Sequence, residues 1–401
     1  MLLRRYNKHE FLEKSDVNMI YFDNSATTAM EKSVLETYKR TSERFIGNPS
    51  SLHRLGEQGA VLLDKSTEQI STQLGVHKDE LYFTSGGTES NNWVLKGTAI
   101  EKRPFGKHII ISAVEHPSVT ESARQLESLG FEVSIAPVLK NGVIDVAALK
   151  DLIKDDTILV STVVINSEVG VIQPIKEISH ILKNHPSIHY HVDAVQAVGK
   201  IPTEDWLTDR VDFASFSAHK FHGPRGVGML YWKKGNKLAP LLTGGGQENN
   251  KRSTTENTPG IVSTARATRL LFEDRDLKEP YIRRMRDYLE EHLSKFEKVT
   301  VFSPDEKEYQ APHILCLGIK EIRGEVLVHA LEDKEIFVST TSACSSKKKM
   351  SSSTLGSMGV PIKLSETAIR ISLDEKNTLA EAEQFLIIFK QLYDKFEKIN
   401  G

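Results

Sequence analysis

Lys220 closes the run DFASFSAHK, a short apolar segment that ends in small residues and sets His219 beside the lysine. A lysine amine attacks a carbonyl carbon only after losing its proton, so one held in a desolvating pocket at a strand end is a candidate Schiff-base former. The competing reading is a solvated loop lysine. Three other segments offer groups to the same kind of crevice. TSGGTES, residues 84–90, follows the apolar ELYF and opens a helix near Thr88. Its glycines let backbone N–H groups approach an anion that the helix N-terminus also favours, which describes a phosphate cradle, or else an ordinary capped turn. No GK[ST] follows at Walker spacing. In IHYHVDAVQAVGK, strand alternation puts His189, His191 and Asp193 on one face. H-x-H-x-D resembles the start of a binuclear metal motif, but Ala194 stands where that motif needs another histidine. The alternative is that Asp193 pairs with a protonated heterocyclic nitrogen, as pyridoxal phosphate requires. His116 in EHPSV follows the apolar HIIISA, where an imidazole can stack on a ring and exchange protons near neutral pH.

These groups need a scaffold that brings strand ends together. Between about residues 80 and 232, the strand-like runs ELYFTS, HIIISA, FEVSIAP, TILVSTVVI, IHYHVD, DFASFS and VGMLYW alternate with helical stretches near 89–102, 118–129, 145–154 and 175–184. The alternation predicts an α/β fold with a mostly parallel seven-stranded sheet flanked by helices, whose carboxyl edge forms the ligand crevice. A charged amphipathic stretch over 262–297 follows. Beyond it come HILCLGI, FVSTTS, AIRISL and a last helix over 378–398, which predict a smaller α+β domain. At 401 residues and a formal net charge of -2, the chain has room for two domains and lacks a global nucleic-acid footprint. No apolar stretch reaches spanning length, so no membrane association is expected. Residues 1–18 lack a secretory apolar core and are an N-terminal extension or an overcalled start before Met19. The two cysteines fit a reducing cytoplasm. Cys316 lies in an apolar run and reads as packed. Cys344, in TTSACSSKKK, reads as accessible, with lysines that favour its thiolate.

The order of YFDNSATT, FIGNPSSLH, FTSGGTESNN, EHPSV, HVDAVQAVGK, SFSAHKFHGPRGVG, TGGGQE, RSTTEN, TSACSS and AIRISL resembles that of NifS/IscS-type cysteine desulfurases. These are class V, fold-type-I pyridoxal enzymes, and the likeness runs from about Met19 nearly to the C-terminus. The resemblance implies pyridoxal 5'-phosphate on Lys220, with Asp193 at the ring nitrogen, Gln196 at the ring oxygen and His116 over the ring. It assigns Gly87, Thr88, Ser217 and His219 to the phosphate, and Thr255 to the phosphate of a neighbouring subunit, hence a homodimer. Arg370 would clamp the carboxylate of L-cysteine with Asn24 beside it, and Cys344 would take the sulfur. It divides the chain into a large domain over 31–265 and a small domain formed by 19–30 and 266–401.

Three departures stand out. INSE replaces the family's NNE, so Ser167 takes the place of an asparagine that contacts the ring oxygen. Thr254 replaces a glycine in RSTTEN, and the cysteine loop reads TTSAC. Cys344 and Arg370 are 26 positions apart, which resembles the long-loop group, and STTSACSSKKK is similar to NifZ-type paralogues. Those paralogues imply delivery to a ThiI-like acceptor for 4-thiouridine in tRNA; a scaffold-like acceptor for iron-sulfur or thio-cofactor assembly is the alternative. Other readings are a transaminase, a selenocysteine lyase or an inert scaffold. Lys347–Lys349 form a solvated loop face or attract an acidic partner.

Overall fold

The computed structural model describes residues 19–341 and 353–400; Cys344 lies outside the described residues. Seven strands build the large sheet: β2 Leu81–Thr84, β3 His108–Ser112, β4 Glu132–Ala136, β5 Thr157–Val163, β6 His189–Asp193, β7 Phe213–Ser217 and β8 Gly228–Trp232, after a short β1, Ile20–Tyr21. Their order is β2-β8-β7-β6-β5-β3-β4, and only β8 runs antiparallel to its neighbours. Strands β3, β5, β6 and β7 are buried along their whole length; β3 and β5 accordingly read as largely apolar runs, while β6 carries His189, His191 and Asp193 inside.

Helices cover both faces. Ile109 and Ile111 of β3 pack with Trp93, Val94 and Val119, from α3 Gly87–Lys102 and α4 Pro117–Ser128. Ile110 faces the other way, toward Val160, Tyr190 and Ile178, the last from a helix over Ile175–Leu182. A separate core joins Ile20 and Phe22 to Leu315, Leu317, Ile369, Ile371, Phe385 and Phe389. Here β9 Val299–Val301, β10 Ile314–Ile319, β12 Ser339–Thr340 and β13 Ala368–Ser372 form an antiparallel sheet in the order β12-β13-β10-β9, while β11 Ile336–Phe337 pairs with β1. Cys316 is fully buried in β10, and burial pushes its thiol well above the usual range.

The amphipathic stretch expected over 262–297 is two helices, Thr258–Phe272 and Arg275–Leu293. The chain breaks at Glu273, which is extended, and Asp274, whose φ of 57° is left-handed; the Lys278 ammonium caps the first helix at the Leu270 carbonyl. The first two helices, α1 Lys32–Arg44 and α2 Arg54–Leu74, were not foreseen. Their buried faces explain the miss: the second turns Gly56, Gly59, Ser66 and Ser71 inward along with Ile70 and Leu74, so no apolar stripe marks it. No helix among the described residues is long and apolar enough to cross a membrane.

Candidate active site

Parallel pairing aligns the carboxyl ends of the central strands. Val163 of β5 is opposite Asp193 of β6, and Asp193 is opposite Ser215 of β7, so the chain beyond Ser217 emerges beside Asp193. There it turns through a single 3-10 turn, Ala218–Lys220. The Lys220 Nζ donates to the carbonyls of Ser25 at 2.6 Å and Ala26 at 2.8 Å. The Gln196 amide donates to the same Ser25 oxygen at 2.9 Å. His219 Nδ1 lies 3.1 Å from the Thr27 hydroxyl, and burial, reinforced by the charges of Lys220 and Arg225, brings its imidazole down to about 4.

The segment Asp23–Thr28 therefore backs Lys220, and it also reaches Arg370. The Arg370 guanidinium donates from Nη2 to Asp23 Oδ1 at 2.8 Å and from Nη1 to the Ser167 carbonyl at 2.8 Å, while its buried Nε has no partner. Ser167 thus touches Arg370 through its backbone. The preceding Asn166 is the buried member of the pair, donating to the Val114 carbonyl and the Thr354 hydroxyl. The Asn24 amide donates to the carbonyls of Tyr21 and Ser372 and to Asn377 Oδ1, so its side chain tethers the segment to β13 and the turn after it.

The glycine-rich turn sits on the other side of the crevice. Thr84 of β2 and Ser217 of β7 both pair with Gly228 of β8, which carries Gly86 and Gly87 up to Ser217. A Cβ on Gly87 would lie 2.6 Å from a Val195 methyl and 3.7 Å from the Ser217 Cβ, so α3 starts this close to the strand end only with glycine there. The N-terminus of a 16-residue helix, with Thr88 in its first turn, is thereby presented beside Ser217. Thr255 is exposed and lines a small cavity with Ser85, Arg252 and Glu248.

His116 is the N-cap of α4; its Nδ1 accepts from the Ser118 N–H at 3.1 Å and lies 2.8 Å from the Ser118 hydroxyl. Burial lowers its pKa, with Asp193 opposing and Lys220 assisting. Asp193 accepts from the Val195 N–H at 3.0 Å and from the Asn91 amide at 2.7 Å. Two polar groups here escaped the sequence reading. Asn91 is buried on α3, one turn past Thr88, and Glu115 is fully buried, accepting from the Ser112 hydroxyl at 2.5 Å and the Val163 N–H at 2.7 Å. Burial pushes the Glu115 carboxyl up to about 8, against these hydrogen bonds and with help from the Asp193 charge.

The histidines of β6 are spoken for. His191 sits between the hydroxyls of Ser161 and Ser215, and His189 meets Thr98. Burial drives both rings down to about 3, and their hydroxyl partners account for them without a metal. His222, Asp374 and Glu375 also converge, but Lys200 stands 4.0 Å from Glu375, so an ammonium already faces one of the two carboxylates.

Residues 20–385 match the family model for aminotransferase class-V. This chain belongs to the class-V aminotransferase family. Within it, the chain is 51% identical over 382 residues to the NifS/IcsS protein homolog of Lactobacillus delbrueckii subsp. bulgaricus, covering 95% of this chain and 99% of that one. It is 39% identical to cysteine desulfurase IscS of Dictyoglomus turgidum, over 95% and 96% of the two chains. A solved NifS-like protein superposes with a TM-score of 0.87 at 38% identity, over 94% of this chain and 99% of that one. The chain is thus a NifS/IscS homologue with the fold-type-I architecture.

Enzymes of this class-V group use pyridoxal phosphate, and the crevice fits it. A glycine-only approach holds a helix N-terminus beside Ser217 for a phosphate, a buried carboxylate stands at the β6 end, and one lysine lies within electrostatic range of His116.

Proposed function

We propose that this chain is a pyridoxal-phosphate-dependent cysteine desulfurase, converting L-cysteine to L-alanine and passing the sulfur to Cys344. One observation carries the reading: the Asp23–Thr28 segment holds Lys220 through the Ser25 and Ala26 carbonyls and Arg370 through the Asp23 carboxylate. A group that moves a proton at Cα and a fork that binds an α-carboxylate are thus spaced by a single six-residue turn. Bound pyridoxal phosphate supplies an electron sink for the pair left at Cα. In this reading Lys220 anchors the cofactor and moves the Cα proton, Asp193 keeps a proton on the ring nitrogen, Gln196 serves the ring oxygen and His116 covers the ring. Gly87, Thr88, Ser217 and His219 hold the phosphate. Arg370 orients the substrate, and Asn24 tethers the segment that holds it in place. The Cys344 thiolate attacks the substrate sulfur; the C–S electrons return to the organic product, and the persulfide remains on Cys344.

Thr255 completes the phosphate site of a second copy in a homodimer. Support comes from its exposure and from the solvent-facing apolar residues Ile46 and Leu52 of the FIGNPSSLH loop, a surface that a second copy would cover. Ser167 gives up the ring-oxygen contact, its carbonyl serving Arg370 instead. The large domain spans 31–265, and residues 19–30 and 266–401 form the small one, a division supported by the separate core around Phe22 and Phe385. The acceptor we favour is a ThiI-like protein of the cytoplasm that thiolates tRNA, on the strength of the STTSACSSKKK segment; a scaffold-like acceptor is the alternative.

The Cys344→Ser variant tests the assignment. It should keep the cofactor's visible absorption band and lose protein-bound persulfide after L-cysteine is added. Persulfide at the normal rate in that variant would refute the role of Cys344, and 3-mercaptopyruvate in place of alanine would favour a transaminase.

A further inference from the structure

A chain of three hydrogen bonds joins the carboxylate of Asp193 to the ring of His116 through two side chains that no role has yet been given. The Asn91 Nδ2 lies 2.7 Å from Asp193 Oδ2 and 2.8 Å from the Ser118 Oγ. An amide nitrogen only donates, and turning the amide over would set its oxygen against a carboxylate, so the orientation is fixed by its neighbours. Asn91 therefore spends one hydrogen on each partner. Having accepted from Asn91, the Ser118 hydroxyl has its single proton left for His116 Nδ1, 2.8 Å away. The Ser118 backbone N–H, 3.1 Å from the same nitrogen, can only donate as well. Two independent donors thus converge on Nδ1, and the proton of the neutral ring has one place to go, which is Nε2.

We infer that Asn91 and Ser118 are positioning residues that fix His116 as the Nε2-protonated tautomer, so that it presents an N–H, and not a lone pair, to the crevice. The inference rests on His116 lining the proposed cofactor pocket, and it sharpens what the residue does there. An Nε2–H group donates a hydrogen bond to whatever lies over it; accepting a proton from a substrate thiol first requires breaking both contacts at Nδ1. The charged groups that act on the ring are Asp193 on β6 and Lys220 beyond β7. Asn91 and Ser118 themselves carry no charge, so their effect is through geometry and direction of donation. All three partners are buried: Asn91 is 1% exposed, Asp193 3% and Ser118 8%, which keeps water from substituting for a lost donor.

The test is long-range proton–nitrogen NMR on the full-length protein with ring-labelled histidine, recorded as purified and again after the cofactor has been removed, with His116→Gln identifying the signal. The native protein should show His116 with a protonated Nε2 and a bare Nδ1. Donation into the Nδ1 lone pair favours the neutral ring, so Ser118→Ala should raise the His116 titration midpoint by about one pH unit and admit the other tautomer. Ser118→Thr, which keeps the hydroxyl, should restore the native signal. Asn91→Ala should shift the midpoint in the same direction by less, because Ser118 keeps its proton. The acid limb of the kcat/KM profile should move with the midpoint in each variant. A proton on Nδ1 in the native protein overturns the inference, as does a His116 titration unchanged in Ser118→Ala. If Ser118→Ala does not fold, an unchanged ring in folded Asn91→Ala overturns the Asn91 link. Because the ring signals are read without cofactor or turnover, loss of the desulfurase reading leaves this result standing, and the reverse also holds.

Discussion

Replacing Glu115 by glutamine should stabilise the protein progressively as the pH rises, because Glu115 is a carboxyl that folding forces to keep its proton. It is fully buried, its Oε2 has no hydrogen-bond partner, and its pKa rises from 4.5 to about 8. A carboxyl with a raised folded pKa contributes its full stability below the unfolded value. That contribution is lost as pH climbs through the interval up to the folded value, since the unfolded chain releases the proton first. The loss accumulates at about 1.4 kcal/mol per pH unit, reaching about 3 kcal/mol at pH 7 and levelling near 5 kcal/mol above pH 8. Glutamine keeps the acceptor oxygen for Ser112 and Val163, places its NH2 where the acid holds its proton, and cannot ionise. The measurement is urea unfolding of wild type and Glu115→Gln at pH 5, 6, 7 and 8.5. The variant's advantage should grow with pH over this range and flatten at its upper end. An advantage, or a deficit, that stays constant from pH 5 to 8.5 would show that Glu115 is ionised in the folded protein, and the argument from burial would fail.

Two further outcomes follow from the packing. Asp374 lies 3.1 Å from the buried His222, and despite burial its pKa is depressed by the adjoining His222 ring and the Lys200 charge. Its contribution is therefore present above the ordinary aspartate value near 4 and lost as pH falls below it, so Asp374→Asn should cost about 1–3 kcal/mol at pH 7 and progressively less below pH 4 in chemical denaturation. Gly87→Ala drives a Cβ to 2.6 Å from the Val195 methyl. It should cost about 1–3 kcal/mol and weaken cofactor retention, measured by the visible band after dialysis, and adding Val195→Ala should restore both; retention that the second change leaves unrestored argues against the steric cause.

The chemistry was more legible than its support. Strand runs such as HIIIS and TILVSTV announced themselves because burial on both faces of a parallel sheet demands uninterrupted apolar residues, and each ended at a residue that could face a crevice. Lys220, Asp193 and His116 could be singled out on that basis alone. The residues that hold them could not. Asn91 lies on a helix whose buried side mixes Ser90, Trp93, Gly97 and Thr98, so nothing distinguishes a polar residue reaching an aspartate from one that merely fills space. Glu115 precedes a histidine in a loop, and only the fold reveals that its carboxyl is enclosed beneath β5. The two-helix break at Asp274 was equally silent, because a left-handed aspartate is not encoded by any glycine or proline at that point.

The most consequential contact was invisible for another reason: it joins residues 347 positions apart. Arg370 already holds a carboxylate, that of Asp23, in a setting where the two side chains are only 8% and 17% exposed. A guanidinium this buried is costly without a counter-charge, and Asp23 supplies one before any substrate arrives. An incoming α-carboxylate cannot simply add to that pair, since a second negative charge beside Asp23 would be repelled at short range. The unpartnered Nε offers the free edge of the fork, and the contact to Ser167 leaves Nη1 fixed in place. In the proposed reading, a carboxylate binding at Arg370 would therefore redistribute the donors between two carboxylates, and the segment that would yield is the one whose carbonyls hold Lys220.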